Sequence, residues 1–424
     1  MLVFKFGGAS VKDAPSVKNV AKILSLFEHS KKVVVVSAMG KSTNLLENIV
    51  NALKDKNEQK FDLLLDQLYD FHLSILDDLF TEKHFKVYAQ LDSIFENLRL
   101  KKQQVFSDNY HFEYDQIVSL GEVISTLIVE AYLRELGEKS SWIDARKLIR
   151  TDNSYRDANV DWKKTEELIS NAINPLLHNS DTFITQGFVG HTSEGFTTTL
   201  GREGSDYTAG IFAYCLNAEN VTIWKDVPGM LNADPKWFDD TIKLDHISFK
   251  EAIELSYYGA TVIHPKTIKP LQNKKIPLYV KSFVDPHAEG TVIQESTEFD
   301  HLVPSFIFKM NQVLFSITPK DFSFIVEENL SVIFDKLAKV GAKINVMQNS
   351  ALSFSFALDE NKIDIQEIYD LFKESYEVRY NQNLELVTIR HYNQETIDRV
   401  MVNKDLILEQ KTRYTIRILM KDLG

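Results

Sequence analysis

The sequence predicts an α/β fold that runs into a smaller α+β region, and three observations at its start carry the first part. Leu2 to Phe6 is short, apolar and closed by Gly7-Gly8, the pattern of a buried strand entering a turn. Ala14 to Phe27 places Val17, Val20, Ala21, Ile23, Leu24 and Phe27 on one face of an amphipathic helix. Lys32 to Ser37 then holds a run of valines, as a central parallel strand covered on both faces does. Strand, helix and strand in this order make a βαβ unit, and hence a layered architecture.

From Leu45 to about Asp108 the chain turns to long charged segments rich in Leu, Lys and Asp, which predict a helical insertion. Helix is expected to continue from Tyr114 to Leu136. Strands are expected again at Thr182 to Phe188, Asn220 to Asp226 and Pro277 to Phe283. A second region opens near Leu302. Its expected strands are Val313 to Ile317, Ile344 to Met347, Leu352 to Leu358, Tyr376 to Tyr380 and Leu384 to Arg390. Helices are expected at Ile325 to Lys339 and Ile365 to Glu374. The βαββαβ order predicts a small α+β sandwich. A helix at Thr396 to Val402 and a strand at Arg413 to Met420 remain as a fragment of a second such unit.

The 424 residues suggest two or three domains at about 150 residues each. Lys and Arg number 48 against 60 Asp and Glu, a net charge of −12, which argues against a general nucleic-acid binder. An anionic small ligand remains open to it, because a local cluster of donors can overcome the global field. Cys215 stands alone, so neither an intrachain disulfide nor a cysteine metal cage is expected, and a reducing compartment is. The apolar run Val33 to Val36 is far too short for a membrane span, and the N-terminus lacks a basic segment followed by an apolar one. A cytoplasmic protein without nucleic-acid or membrane partners is the expectation.

The chemistry-bearing residues sit at the ends of the expected strands. Lys5 lies at the carboxyl end of the first, where open α/β sheets bind ligands. Gly7 and Gly8 let backbone amides approach an anion, and Ser10 leads toward the next helix, whose N-terminus favours phosphate. An exposed lysine beside a tight turn is the plainer account. Gly40-Lys41-Ser42 lacks the glycine that a P-loop needs at position 35, so only a loop offering Ser37, Ser42 and Thr43 hydroxyls is left. Glu122 in Ser119-Leu120-Gly121-Glu122 is either a solvated helix-start carboxylate or a counter-charge for a substrate ammonium. Thr185 to Asp206 is the densest segment, with Thr197-Thr198-Thr199 before Gly201, Arg202 and Gly204. Ser205 is expected as an N-cap and Asp206 in the first helical turn. Arg202 between glycines suits a carboxylate or a phosphate. Trp224 to Gly229 and Asn232 to Pro235 carry turn signals after a strand. No GxGxxG fingerprint, HExxH pair, GxSxG elbow or protein-kinase HRD/DFG set occurs in the sequence.

With these motifs in order the chain resembles the aspartokinases of the amino-acid kinase family. KFGGAS, SAMGKSTN, SLGE, TQGFVG with TTTLGREGSDYTAG, WKDVPGML with NADP, YYGATVIHP and VKSFVDPHAEGT follow one another in the family's order from Lys5 to Thr291. The region after Leu302 looks like the ACT-type module that follows the kinase there. The resemblance implies an amino-acid-kinase-like three-layer sandwich over residues 1–298, with its helical insertion at about 45–118. Residues 299–424 would be an ACT-like regulatory region with a truncated second ACT unit.

The implied reaction is phosphoryl transfer from MgATP to the β-carboxylate of L-aspartate, the first step toward lysine, threonine and methionine. Matched residue to residue, the resemblance makes Lys5 the group that stabilises the transferring phosphoryl and Asp206 the one that orients Lys5. Gly7, Gly8 and Ser10 would surround the phosphates. Arg202 would grip the substrate α-carboxylate and Glu122 its ammonium, with Ser37, Thr43, Phe188 and Ser205 completing the pocket. Lys225, Asp226, Leu231 and Lys236 fall where the family contacts nucleotide.

Lys225 stands where Thr or Ser is frequent, Leu231 where Tyr is, and Thr261 where the family has a lysine. An amino-acid effector, lysine or threonine, would sit near Ile344, Gln348, Asn349 and Ser350, although polar residues ending a strand need no ligand. A homodimer is implied as well. A fused homoserine dehydrogenase is not expected, because no dinucleotide fingerprint and no length remain for one. The alternatives are a related kinase acting on glutamate or acetylglutamate, or a catalytically inactive amino-acid sensor.

Overall fold

The computed structural model describes residues 1–82, 85–238, 240–260, 263–321 and 323–424. The chain divides into two compact units. The first comprises residues 1–230, 243–256 and 261–299, and the second comprises 231–242, 257–260 and 300–424.

The first unit begins with β1 (Leu2–Phe6), α1 (Ala14–Ser25) and β2 (Lys32–Val36), the expected βαβ unit. The helical insertion follows as α2 (Ser42–Lys54), α3 (Glu58–Leu79), α4 (Phe85–Leu100) and α5 (Tyr110–Val118), then α6 (Leu120–Glu135). The single helix expected over Tyr114 to Leu136 is therefore broken at Ser119. Next come β3 (Ser140–Ile143), α7 (Trp162–Ile173), β4 (Thr182–Gln186), β5 (Val189–His191), β6 (Thr197–Thr199), α8 (Gly204–Leu216) and β7 (Asn220–Lys225). The unit closes with β8 (His246–Ser248), α9 (Phe249–Tyr258), α10 (Pro265–Lys274), β9 (Leu278–Ser282) and β10 (Thr291–Gln294).

Among the described residues these strands form an eight-stranded sheet in the order β3-β4-β2-β1-β7-β9-β10-β8. It is parallel except where β10 runs against β9. Every residue of β1, β2 and β4 is buried, which is why those segments read as unbroken apolar runs. Phe4, Phe6, Val34, Val36 and Trp224 share one core with the apolar faces of α1 to α6. The stretch Tyr110–Glu135 is long and apolar enough to cross a membrane by composition, yet its most apolar window is 67% buried within the fold, as in a core helix. Cys215 is buried, and burial pushes its thiol up to about 12.

The second unit is built from β11 (Ser305–Pro319), α11 (Glu327–Lys339), β12 (Ile344–Asn349), β13 (Phe354–Asp359), α12 (Ile365–Phe372), β14 (Tyr376–Arg390), α13 (Gln394–Val400), β15 (Lys404–Lys411) and β16 (Thr415–Asp422). Its antiparallel sheet runs β12-β13-β11-β14-β16-β15 among the described residues. Three expectations need correction. The segments Tyr376 to Tyr380 and Leu384 to Arg390 are one strand, and Val313 to Ile317 is the latter part of a strand that starts at Ser305. Register shifts near Gln312 bend the ladder without breaking it, and Asn311 and Asn383 take the left-handed backbone that these bends require. The part after Leu384 is also more than a helix and a strand, because β15 lies at the sheet edge with charged residues masking its alternation. Residues 231–242 group with this unit because Ala233 and Phe238 enter the core of Phe306, Val387, Ile389 and Ile418.

Candidate active site

At the carboxyl ends of β1, β2 and β7 the first unit opens a cavity of about 320 Å³. Lys5, Ser37, Thr43, Glu122 and Phe188 line it together with Ser205, Asp206 and Lys225, all of them named from the sequence. Gly201, Glu203 and Gly204 complete the lining. The parallel register explains the convergence: Lys5 and Phe6 lie beside Ile223 and Trp224, so Lys225 emerges two residues beyond the partner of Lys5, on the same face of the neighbouring strand.

Charge is concentrated on one carboxylate. Asp206 Oδ1 lies 2.6 Å from Lys5 Nζ, with side chains 4% and 11% exposed. Asp206 Oδ2 lies 4.0 Å from Lys225 Nζ. Asp206 sits in the first turn of α8, where the helix dipole also favours its charge. A buried pair of this kind is held at a desolvation penalty, and removing one partner is far more damaging than its presence is stabilising.

Glu122, in the first turn of α6, is buried and lies within reach of the charge of Lys5. Burial pushes its carboxyl up to about 8, opposed by the amides of Ala38 and of Glu122 itself and by the charge of Lys5. Its Oε2 has no hydrogen-bond partner among the described residues. A buried, unsatisfied carboxyl oxygen is a ready acceptor for an ammonium donor.

Close backbone approaches fix the walls. A Cβ on Gly8 would stand 2.7 Å from the Ala38 carbonyl oxygen and 2.9 Å from that of Gly40, so glycine brings the β1 turn against the loop after β2. The same two segments are tied by Ser37 N–H donating to Phe6 O and Gly40 N–H donating to Gly8 O, both at 3.1 Å. Phe188 holds a left-handed backbone (φ 71°), a conformation that strains a bulky residue. It is kept there by its N–H donating to Thr208 Oγ1 at 2.9 Å and its carbonyl accepting from Leu200 N–H at 2.8 Å.

The remaining sequence-named residues fall elsewhere. Gly7 is half-buried with its Cα hydrogens facing Lys5, since a Cβ there would lie 3.3 Å from Nζ. Ser10 is buried in a separate 3₁₀ turn, Gly8–Val11, and the N-terminus of α1 is already capped by the Asp13 carboxylate accepting from Ser16 N–H. Ser205 is not the N-cap of α8. Glu203 holds that position in a left-handed conformation, which lets Ser205 and Asp206 face the cavity from inside the helix. Arg202 is exposed and does not line the cavity. Asp226 is exposed just past β7. Leu231 and Lys236 belong to the second unit, and Thr261 lies outside the described residues. In the second unit Ile344 is half-buried at the start of β12, an edge strand, whereas Gln348, Asn349 and Ser350 are exposed at its end. Ser350 closes a turn, its N–H donating to Ser353 O at 2.8 Å.

Sequence reasoning passed over two residues. Glu203, in the GREGSD segment, carries no role in the resemblance, yet it lines the cavity. Asp115 on α5 is a buried carboxylate that accepts from Thr199 N–H (2.8 Å), Thr199 Oγ1–H (2.7 Å) and Arg156 N–H (3.0 Å). It thereby anchors β6, the strand leading into Gly201 and Glu203. An acidic residue among apolar helix positions (Tyr114, Ile117, Val118) was its one visible signal. Among the described residues no group of three or more His, Cys, Asp or Glu side chains is arranged to hold a metal.

This geometry has known counterparts. A profile described as the amino acid kinase family matches residues 1–282. Lysine-sensitive aspartokinase 3 of Escherichia coli (strain K12) is 33% identical over 360 residues, covering 85% of this chain and 78% of that enzyme. Aspartokinase 1, chloroplastic, of Arabidopsis thaliana is 29% identical over 86% of this chain, which spans 64% of that protein. The chain spans only 40% of the bifunctional aspartokinase/homoserine dehydrogenase 1 of Zea mays. The crystal structure of E. coli aspartokinase III with lysine and aspartate (T-state) superposes with a TM-score of 0.83 at 28% identity, covering 99% of this chain and 95% of that one. The R-state structure of the same enzyme with aspartate and ADP gives a TM-score of 0.79, also at 28% identity, covering 99% and 96%.

Proposed function

The chain belongs to the amino acid kinase family and, within it, to the aspartokinases, and from that premise we infer that it transfers the γ-phosphoryl group of ATP to the β-carboxylate of L-aspartate, giving 4-phospho-L-aspartate and ADP. The observation that carries this reading is one carboxylate, Asp206, shared by the ammoniums of Lys5 and Lys225 in a cavity that also holds buried Glu122.

The acceptor needs no general base, because a β-carboxylate with a pKa of about 3.9 is already ionised at neutral pH. What the site must supply is charge neutralisation and alignment of two anions. Lys5 is positioned for the first task. Its ammonium is pre-aimed by Asp206, so little reorganisation is needed as negative charge moves between oxygens. Lys225 adds a second ammonium beside it. Glu122 accepts from the substrate ammonium and Arg202 donates to the α-carboxylate, while Ser37, Thr43, Phe188 and Ser205 close around the aspartate. Gly7, Gly8 and Ser10 present the β1 turn to the phosphates, and Asp226, Leu231 and Lys236 complete the nucleotide contacts.

The divalent ion that accompanies ATP is assigned as Mg²⁺. It would be held largely by phosphate oxygens and water, as this hard cation prefers, and would neutralise charge on the triphosphate.

We assign residues 1–298 to the kinase domain and 299–424 to an ACT-like regulatory region with a truncated second unit. The exposed polar end of β12, at Gln348, Asn349 and Ser350, is our candidate effector site. Lysine is favoured there over threonine, because the E. coli relative is described as lysine-sensitive. A cytoplasmic homodimer feeding lysine, threonine and methionine synthesis completes the reading. Acyl phosphates react with hydroxylamine, so ATP-dependent hydroxamate should form with L-aspartate. Formation with L-glutamate or N-acetylglutamate instead, or with none of the three, would overturn it in favour of another acid kinase or an inactive sensor.

A further inference from the structure

Among the side chains that line the cavity, Glu203 alone has no part in the reaction described above. Its backbone is left-handed, at φ 54° and ψ 28°, a conformation that glycine enters freely and other residues only with strain. Its neighbours hold it there. Gly201, itself left-handed at φ 79°, opens the turn, and its carbonyl oxygen accepts from Gly204 N–H at 3.0 Å. The Glu203 carbonyl oxygen accepts from Asp206 N–H at 3.0 Å and Tyr207 N–H at 3.1 Å. A Cβ on Gly204 would stand 2.7 Å from Phe188 Cδ2, and one on Gly187 2.5 Å from Ser205 Cβ, so the start of α8 is seated against the turn after β4. Glycine would relieve the strain at position 203, yet the sequence places a carboxylate there, between Arg202 and Gly204.

That carboxylate does nothing for the helix it precedes. Glu203 is the N-cap residue of α8, but its side chain makes no capping hydrogen bond. Its Oε2 is buried and has no hydrogen-bond partner among the described residues, which is also the state of Glu122 Oε2 in the same cavity. Two carboxylate oxygens without donors in one cavity call for a donor that arrives with a substrate. The cavity's own ammoniums, Lys5 and Lys225, are directed at Asp206. The triphosphate of ATP and both carboxylates of aspartate bring acceptors only, whereas the aspartate ammonium brings three N–H donors. One of them serves Glu122, and two remain.

We propose that Glu203 is a second acceptor for the ammonium of the aspartate substrate, so that the α-amino group is held between two carboxylates and the site selects acceptors that carry it. The proposal rests on the aspartokinase reading and deepens it. The left-handed turn is then kept for the direction it gives the side chain. An acceptor without a free ammonium, such as succinate, meets an unpaired carboxylate where aspartate forms an ion pair.

Glu203→Gly tests this, because it removes the carboxylate and suits the backbone. In the full-length enzyme it should raise the KM for aspartate about tenfold, the size of one charged hydrogen bond. The KM for ATP should stay within about twofold, and the Tm should be no lower than that of the wild type. Succinate, which is aspartate without its ammonium, should inhibit the variant at least as well as it inhibits the wild type. Glu203→Gln keeps an acceptor without the charge and should raise the aspartate KM less, by about threefold. An unchanged aspartate KM in Glu203→Gly would overturn the proposal. So would a succinate inhibition constant that rises in step with that KM, or a Tm below the wild type's, because either would show that the residue shapes the turn rather than meeting the ammonium. Absence of aspartyl hydroxamate from the wild-type enzyme would instead remove the reading on which the proposal stands.

Discussion

The polar groups of the parallel-sheet cavity and those at the end of β12 are made of similar chemistry in opposite surroundings. Lys5, Asp206 and Glu122 are buried, and two of them are already ion-paired. Gln348, Asn349 and Ser350 are exposed, with Ser350 bonded inside its own turn. Desolvated groups are expensive to hold, but their fields act at nearly full strength on whatever enters, without rearrangement. Solvated groups on a strand edge are cheap to keep, and they gain discriminating power only when a ligand excludes water from them. The first arrangement suits a chemical step that must be fast on arrival. The second suits a site that responds to concentration.

That contrast breaks most readily at Lys5. Lys5→Ala should lower kcat by two to three orders of magnitude, about 3 kcal/mol or more, as loss of a preorganised charge-stabilising donor does. ADP release under saturating substrates is the measurement. Turnover near that of the wild type would mean that the buried pair is structural rather than catalytic.

Glu122 sharpens the contrast through pH. Its carboxyl is raised to about 8 in the empty cavity, so below that pH it is mainly protonated, and an ammonium must displace the proton to bind. The aspartate KM should therefore fall as pH rises, roughly tenfold per unit between 6 and 7, and level off above about 8. Glu122→Gln should raise that KM and flatten its slope. A wild-type KM independent of pH over this range would count against an ammonium at Glu122.

The smallest effects should come from the β12 edge. Gln348→Ala should leave basal kcat within about twofold and stability within about 0.5 kcal/mol, as exposed substitutions generally do. The half-inhibitory lysine concentration should rise at the same time. If basal turnover fell instead, the edge would be serving something other than an effector.

Much of the cavity was legible because its residues sit where strand periodicity ends: Lys5 before two glycines, Glu122 after Gly121, Asp206 at a helix start. What failed to read was local conformation and partnership at a distance. Ser205 looks like a cap because Ser is a good one, yet the left-handed Glu203 takes that role, and nothing in the residue type of Glu203 announces it. Asp115 shows in the sequence only as an acid among apolar helix positions, and its partners Arg156 and Thr199 lie too far along the chain to be read from it. The strands β3, β5, β6, β8, β10 and β15 were missed for a different reason. They are short or lie at sheet edges, and half-exposed edges mix charge into the alternation that identifies a strand.

The paired strands β11 and β14 carry a last consequence. Each contributes to two cores: Val313, Phe315, Ile317 and Tyr376 pack under α11 and α12, whereas Phe306, Val387 and Ile389 pack with α13. Because both hydrophobic interiors are threaded on the same two ribbons, neither half owns a complete set of strands. The carboxyl-terminal unit should consequently melt as one indivisible block, and excising either half would unravel the other.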